Sequence, residues 1–201
     1  MNEERFTLLV VCHANLCRSP IAERIIGKVF EERLGQHSVA FDVVSAGTHA
    51  WSNSAMHPFA AEVLREHGAD PTGFLSRRLT EALVRQADLV LTATRQQRSD
   101  CVALVPSAVR RTFTLLQFGR YAAALRPADL TAIWPPPARL QKMIEAVSVV
   151  RSQLPVPLAN EDDLPDPVHS PIEVFRRCAS EIGSVVDIMT GLIAPVQTVP
   201  R

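Results

Sequence analysis

Apolar residues along this chain recur in two alternating rhythms. Phe6, Leu8, Leu9, Val10 and Val11 form a nearly continuous apolar run, as expected of a central parallel strand buried on both faces. From Pro20 the rhythm changes: Ile21, Ile25, Val29 and Phe30 share one helical stripe that stops at Gly35, a residue suited to the left-handed position past a helix end. Further strands are predicted over residues 39–45, 88–93 and 112–116. Helices are predicted over 56–67 (closed by Gly68), 79–86 and 95–104. The last helix spans 171–193, with Pro171 in its first turn and Ile172, Phe175, Ala179, Ile182, Val186 and Met189 on one face.

Strands alternating with helices predict an α/β fold: a doubly wound, Rossmann-like sheet of four parallel strands flanked by helices. The alternation breaks from Gly119 to Pro165, a proline-rich stretch (Pro127, Pro135, Pro136, Pro137, Pro155, Pro157) carrying one apolar stripe: Leu140, Met143, Ile144, Val147, Val150 and Leu154. It reads as a helical insertion over 119–161, either packed on the core or forming a flap, with packing favoured by the stripe. The length of 201 residues suits a single domain, 1–201, with room for that insertion.

Zero net charge gives no reason to expect nucleic acid or an anionic membrane as a bulk partner. No apolar stretch approaches spanning length, and the polar Met1-Asn2-Glu3-Glu4-Arg5 start is unlike a signal peptide. Cys12, Cys17, Cys101 and Cys178 show no secreted disulfide framework. A cytoplasmic location is the expectation.

The chemistry concentrates in Cys12-His13-Ala14-Asn15-Leu16-Cys17-Arg18-Ser19, between the first strand and first helix. Ligands of such sheets bind beyond the carboxyl ends of the strands. A helix N-terminus there offers unpaired N–H groups and the positive end of the macrodipole to an oxyanion such as phosphate. That field stabilises a thiolate at Cys12 and brings such thiols to a pKa of roughly 3.5–7.5. Arg18 adds a planar fork for bidentate phosphate contact. Asn15 tolerates the left-handed backbone of a tight anion nest. Ser19 is placed to donate a hydrogen bond to Cys12, or serves as an ordinary N-cap. The bland alternative for Cys12 is a small buried apolar residue. A zinc site built on Cys12, His13 and Cys17 lacks a complete ligand set, so no metal or cofactor is expected. Cys17 is structural, or pairs with Cys12 on oxidation as a reversible cap.

The stretch from Val11 to Glu23 resembles the signature of the low-molecular-weight protein tyrosine phosphatase family, C-x4-C-R-S followed by P and A-E. Ser45-Ala46-Gly47-Thr48 with Trp51, the segment Arg78-Leu79-Thr80, and Asp166-Pro167 resemble, in order, the family's second strand end, the approach to its next helix and its acid loop. The likeness runs from Phe6 to about Leu116 and resumes from Asp162 to Ile193. It implies that Cys12 is the nucleophile, Arg18 the phosphate clamp and Asp166 the general acid and base, with a phosphocysteine intermediate. The phosphate would be cradled by His13, Ala14, Asn15, Leu16, Cys17 and Ser19, with Ser45 orienting Asn15 and Trp51 walling the pocket. The substrate would be a phosphotyrosine protein or small aryl phosphate, with inorganic phosphate as product. Asp162 and Asp163 are rival acids with less suitable spacing to Pro167.

The chain also departs from that family. Val168-His169 follow the acid-proline pair where an aromatic is common, and a basic Thr94-Arg95 replaces an acidic residue after the third strand. A histidine usual near Phe74 is missing, which predicts weaker polar support for the loop. Two other readings stand beside phosphatase: arsenate reductase of the same fold using an external thiol, and a non-catalytic phosphate-binding module.

Overall fold

The computed structural model describes residues 5–126, 130, 135–151, 153 and 161–194. Four strands, β1 (Phe6–Cys12), β2 (Phe41–Gly47), β3 (Leu89–Thr92) and β4 (Thr112–Thr114), form one all-parallel sheet in the order β2-β1-β3-β4. The helices are α1 (Arg18–Leu34), α2 (Pro58–Glu66), α3 (Glu81–Gln86), α4 (Arg95–Leu104), α5 (Leu115–Ala123), α6 (Pro136–Val150) and α7 (Ile172–Ile193). The doubly wound α/β class expected from the alternation is the one observed.

The period-two geometry of β1 divides the core. Leu8, Val10 and Cys12 face the larger apolar layer, with α1, α2, α5, α6 and α7. Leu9 and Val11 face the smaller one, with Val84 of α3 and Cys101 of α4. A continuous apolar run is what a strand covered on both sides requires. From β1 the chain steps to β2 on one side and then crosses to β3 on the other. The crevice at the carboxyl end of β1 is therefore the switch point, where open sheets of this kind bind ligands.

Several boundaries differ from expectation. Residues 35–40 wind as a 3-10 turn, so β2 starts at Phe41. The strand expected over 112–116 ends at Thr114, whose hydroxyl accepts from the Gln117 N–H at 3.1 Å and starts α5. One threonine thus serves as strand end and helix cap. Gly119 lies inside α5 and does not end it. A Cβ there would sit 2.6 Å from Cγ2 of Val185, so glycine permits close approach of α5 to α7. The stripe of the proline-rich segment is α6; Leu140, Met143, Ile144 and Val147 are buried in the larger layer. Leu154, Pro127, Pro155 and Pro157 lie outside the described residues. Among the described residues no helix is long and apolar enough to cross a membrane.

Candidate active site

Cys12 is the last residue of β1 and Arg18 the first of α1, so the loop from His13 to Cys17 turns at the switch point. Its neighbours hold it by its carbonyls. Thr48 N donates to Cys12 O (3.0 Å), His49 N to His13 O (2.8 Å) and His57 N to Leu16 O (2.8 Å). A tight loop whose carbonyls are held from outside turns its amides towards its own centre, the geometry of an anion nest. Asn15 has φ 55°, the left-handed conformation that asparagine tolerates better than most residues. Gly47 is dictated by close approach: a Cβ there would lie 2.7 Å from Asn15 N and from His13 O.

The side chains of the loop form a buried polar network. Cys12 Sγ and Ser19 Oγ are 2.9 Å apart. Asn15 Nδ2 donates to Ser19 Oγ (2.9 Å) and Ser45 Oγ (2.8 Å), while Asn15 Oδ1 accepts from Arg77 N (2.8 Å). Ser45 Oγ in turn donates to the Glu23 carboxylate at 2.6 Å. Phe74, where a family histidine was expected, is buried. No side chain caps α1 among the described residues.

Arg18 is buried to 4% exposure. Its Nη1 donates to Leu164 O at 3.0 Å and its Nη2 pairs with Asp166. Its Nε is buried without a hydrogen-bond partner among the described residues, although buried guanidinium donors are normally satisfied. The three sequence-predicted acids separate clearly. Asp166 is exposed and pairs with Arg18. Asp162 is fully buried between Arg95 and Arg120, and Asp163 accepts from the Arg95 N–H at 2.7 Å.

Around this centre His13 and His49 are exposed and stack, with ring centroids 4.5 Å apart. Ala14 and Leu16 are half-buried in the loop. Trp51 is 86% exposed; its backbone carbonyl, which accepts from Ser76 Oγ at 2.5 Å, is what anchors it. Burial, helped by the Asp166 carboxylate, pushes the Cys17 thiol up to about 12. Burial does the same for Cys101 and Cys178, each to about 12. These three are therefore protonated thiols at neutral pH.

Sequence reasoning passed over Glu23, Arg77, Arg95 and Arg120 as parts of the site. Glu23 was visible at the end of the signature stretch. The others touch the loops from distant segments; Arg95 stood out only as a basic residue after the third strand, and nothing in the local sequence of Arg77 or Arg120 marks them.

The chain matches the family model described as low molecular weight phosphotyrosine protein phosphatase over residues 7–130. Among similar curated proteins, a probable low molecular weight protein-tyrosine-phosphatase, EpsP, of Ralstonia solanacearum is 37% identical over 109 residues, covering 54% of this chain and 70% of that protein. The low molecular weight protein-tyrosine-phosphatase Etp of Escherichia coli is 33% identical over 115 residues, covering 57% of this chain and 70% of its own length. Among solved structures, the YwlE arginine phosphatase of Geobacillus stearothermophilus superposes with a TM-score of 0.63 at 25% identity, over 92% of this chain and 91% of its own. With the signature loop at the switch point, a family-model match over residues 7–130 and relatives of this kind, the chain belongs to the low molecular weight phosphotyrosine protein phosphatase family and is a phosphatase.

Proposed function

We propose that the protein hydrolyses phosphotyrosine and related aryl phosphates through a phosphocysteine intermediate. The observation that carries this reading is the buried Arg18 Nε, a donor with no partner among the described residues, beside a thiol at the N-terminus of a helix that no described side chain caps. A phosphoryl oxygen satisfies that donor. Cys12 Sγ attacks phosphorus, an S–P bond forms and the bond to the phenolic oxygen breaks. Asp166 supplies the proton that this oxygen needs on leaving. Water then attacks phosphorus, its proton passes to Asp166, the S–P bond breaks and inorganic phosphate departs. Loop amides and Arg18 hold the equatorial oxygens throughout, and such positioning and charge stabilisation supply most of the rate in phosphoryl transfer. The Ser19 hydroxyl, 2.9 Å from Cys12 Sγ, stabilises sulfur as it leaves phosphorus.

On the leaving-group side, the stacked His13–His49 pair and the exposed Trp51 ring offer flat faces to an aromatic ring. A second reading comes from the structural likeness to an arginine phosphatase: a phosphoarginine substrate would use the same cradle with a guanidinium leaving group. For arsenate reduction, Cys101 lies in the core layer on the far side of the sheet from Cys12, so it is not placed to act as a resolving thiol for it.

The test is metal-free hydrolysis of para-nitrophenyl phosphate and a phosphotyrosine peptide, run beside a phosphoarginine peptide and thiol-dependent arsenate reduction. Turnover of the aryl esters, abolished in Cys12→Ser, is the expected outcome. Undiminished turnover in that variant would remove Cys12 as nucleophile, and preference for phosphoarginine would move the substrate class.

A further inference from the structure

The acid loop is fastened at a point that takes no part in bond making. Asp162 is fully buried, and both of its carboxylate oxygens are engaged. Oδ1 accepts from Arg120 Nη2 at 2.6 Å. Oδ2 accepts from Arg95 Nη2 (2.7 Å), Arg95 Nε (3.2 Å) and Gln117 Nε2 (3.4 Å). A carboxylate placed there is unfavourable unless fully paired, and an apolar residue of similar volume commonly serves stability as well or better. What the charged cluster supplies is direction. It ties the start of the loop to the first residue of α4 and to α5, two elements that share no sequence neighbourhood with it.

From that point the chain is held at each step towards Asp166. Asp163 accepts from Arg95 N (2.7 Å), Leu164 N donates to Ala93 O (2.8 Å), and Leu164 O accepts from Arg18 Nη1 (3.0 Å). Pro165 and Pro167 then flank Asp166. Each fixes its own φ and restricts the residue before it, so a shift at Asp162 is transmitted to Asp166 instead of being absorbed.

We propose that Asp162 is a positioning residue for the acid step: clamped by Arg95 and Arg120, it sets where the Asp166 carboxyl stands relative to the phosphate loop. Arg120 makes the α5 segment part of the catalytic apparatus, and Arg95 gives a role to the basic residue that replaces the family's acidic one. The inference rests on the reading of Asp166 as general acid.

The experiment measures kcat/KM for phenyl, 4-nitrophenyl and 2,4-dinitrophenyl phosphate, together with vanadate affinity, for the wild type and for Asp166→Asn, Asp162→Asn and Arg120→Met. A poor leaving group needs its proton most. Asp162→Asn is expected to lower kcat/KM on the order of 10- to 100-fold for phenyl phosphate, the scale of a small misplacement of a reacting group. The loss for the dinitrophenyl ester should be far smaller, with vanadate bound nearly as tightly as by wild type. Arg120→Met, which leaves Asp162 paired with Arg95, should show the same tilt with a smaller amplitude, and Arg120→Lys should restore part of it. A uniform loss across the three esters, or an equal loss of vanadate affinity, would overturn the proposal by showing that Asp162 only holds the fold. If Asp162→Asn does not fold, a level profile in folded Arg120→Met overturns it equally. Asp166→Asn separates the two claims. A steep dependence there with none in the clamp variants defeats the clamp alone, whereas no dependence in Asp166→Asn defeats the acid assignment.

Discussion

The loop from Cys12 to Ser19 and the loop from Asp162 to Val168 meet at Arg18, yet they differ in how much of their hold is local. The first is a contiguous turn with side-chain contacts of its own, Cys12 to Ser19 and Asn15 to Ser19, separated by seven and four residues, and Ser45, Thr48, His49, His57 and Arg77 hold it further from outside. The second is stiffened by Pro165 and Pro167 but positioned from far away in the sequence. Its fastenings come from Arg95, Arg120, Ala93 and Arg18, and the Arg18–Asp166 pair spans 148 residues. The phosphate loop combines local contacts, at the junction of two regular elements, with fastenings from the strand end beside it. The acid loop takes its place from a tertiary structure already assembled. Damage to the first should therefore abolish anion binding and chemistry together, and damage to the second should separate them.

The largest effect is expected from Gly47→Ala. The added methyl would need to occupy space 2.7 Å from Asn15 N and His13 O, both backbone atoms of the nest, so the loop itself must move. A displacement of this size costs on the order of 100-fold in turnover. Because the cradle is what moves, vanadate affinity should fall in parallel. Isothermal titration with vanadate beside a para-nitrophenyl phosphate assay checks this, and full vanadate affinity in an inactive protein would show that the nest tolerates the methyl.

Asn15→Ala comes next and attacks the same loop from inside. It removes the acceptor of the part-buried Arg77 N–H and both donations from Nδ2, and leaves alanine at φ 55°. A lost hydrogen bond of this kind costs roughly 0.5–1.5 kcal/mol, and the left-handed backbone adds about 1–2 kcal/mol for a residue with a Cβ. A matched Asn15→Gly variant removes the second cost but not the first. The difference between their urea midpoints measures the backbone share, and identical midpoints would show that the conformation carries no penalty.

How much of this was legible in the sequence follows the same division. The phosphate loop was readable because strand, nest and helix are consecutive, so spacing alone places Cys12 at a strand end and Arg18 at a helix start. The partners of Asp162 were not readable: Arg95 and Arg120 lie 67 and 42 residues away, and a surface arginine has the same local sequence as a buried clamp. The stretch after Thr112 misled for another reason. Thr112, Phe113, Thr114, Leu115 and Leu116 read as one apolar strand, and Gly119 read as a break. Leu115, Phe118 and Ala122 nevertheless carry the three-and-four spacing of a helix face, and all three are buried. Gly119 is explained by Val185 across the interface, a contact that no local pattern encodes.

Gly119→Ala turns that last point into a smaller test. The new Cβ would press on Val185, and overpacking of this kind costs typically about 1–3 kcal/mol. Since α5 carries Arg120, the strain should also reach the acid loop. The expected result is a lower thermal midpoint with a modest preferential loss on phenyl phosphate, while vanadate binding is spared. Lost vanadate affinity at retained stability would mean that α5 communicates with the nest and not with the acid loop.

The smallest effect is expected at Asp163, where two helix ends in one crevice are treated differently. The α1 end has no side-chain cap among the described residues, which leaves its donors for an anion. The α4 end is closed twice, by Thr94 accepting from Gln97 N at 3.4 Å and by Asp163 accepting from Arg95 N at 2.7 Å. A carboxylate at a helix N-terminus also complements the macrodipole. Asp163→Ala should therefore cost about 1 kcal/mol of stability, the usual loss on removing a cap, because Thr94 remains. Its kcat/KM on phenyl phosphate should fall less than in Asp162→Asn, since the buried carboxylate still holds Arg95 and Arg120. A larger catalytic loss in Asp163→Ala than in Asp162→Asn would place the fastening of the acid loop at the α4 terminus and not in the buried cluster.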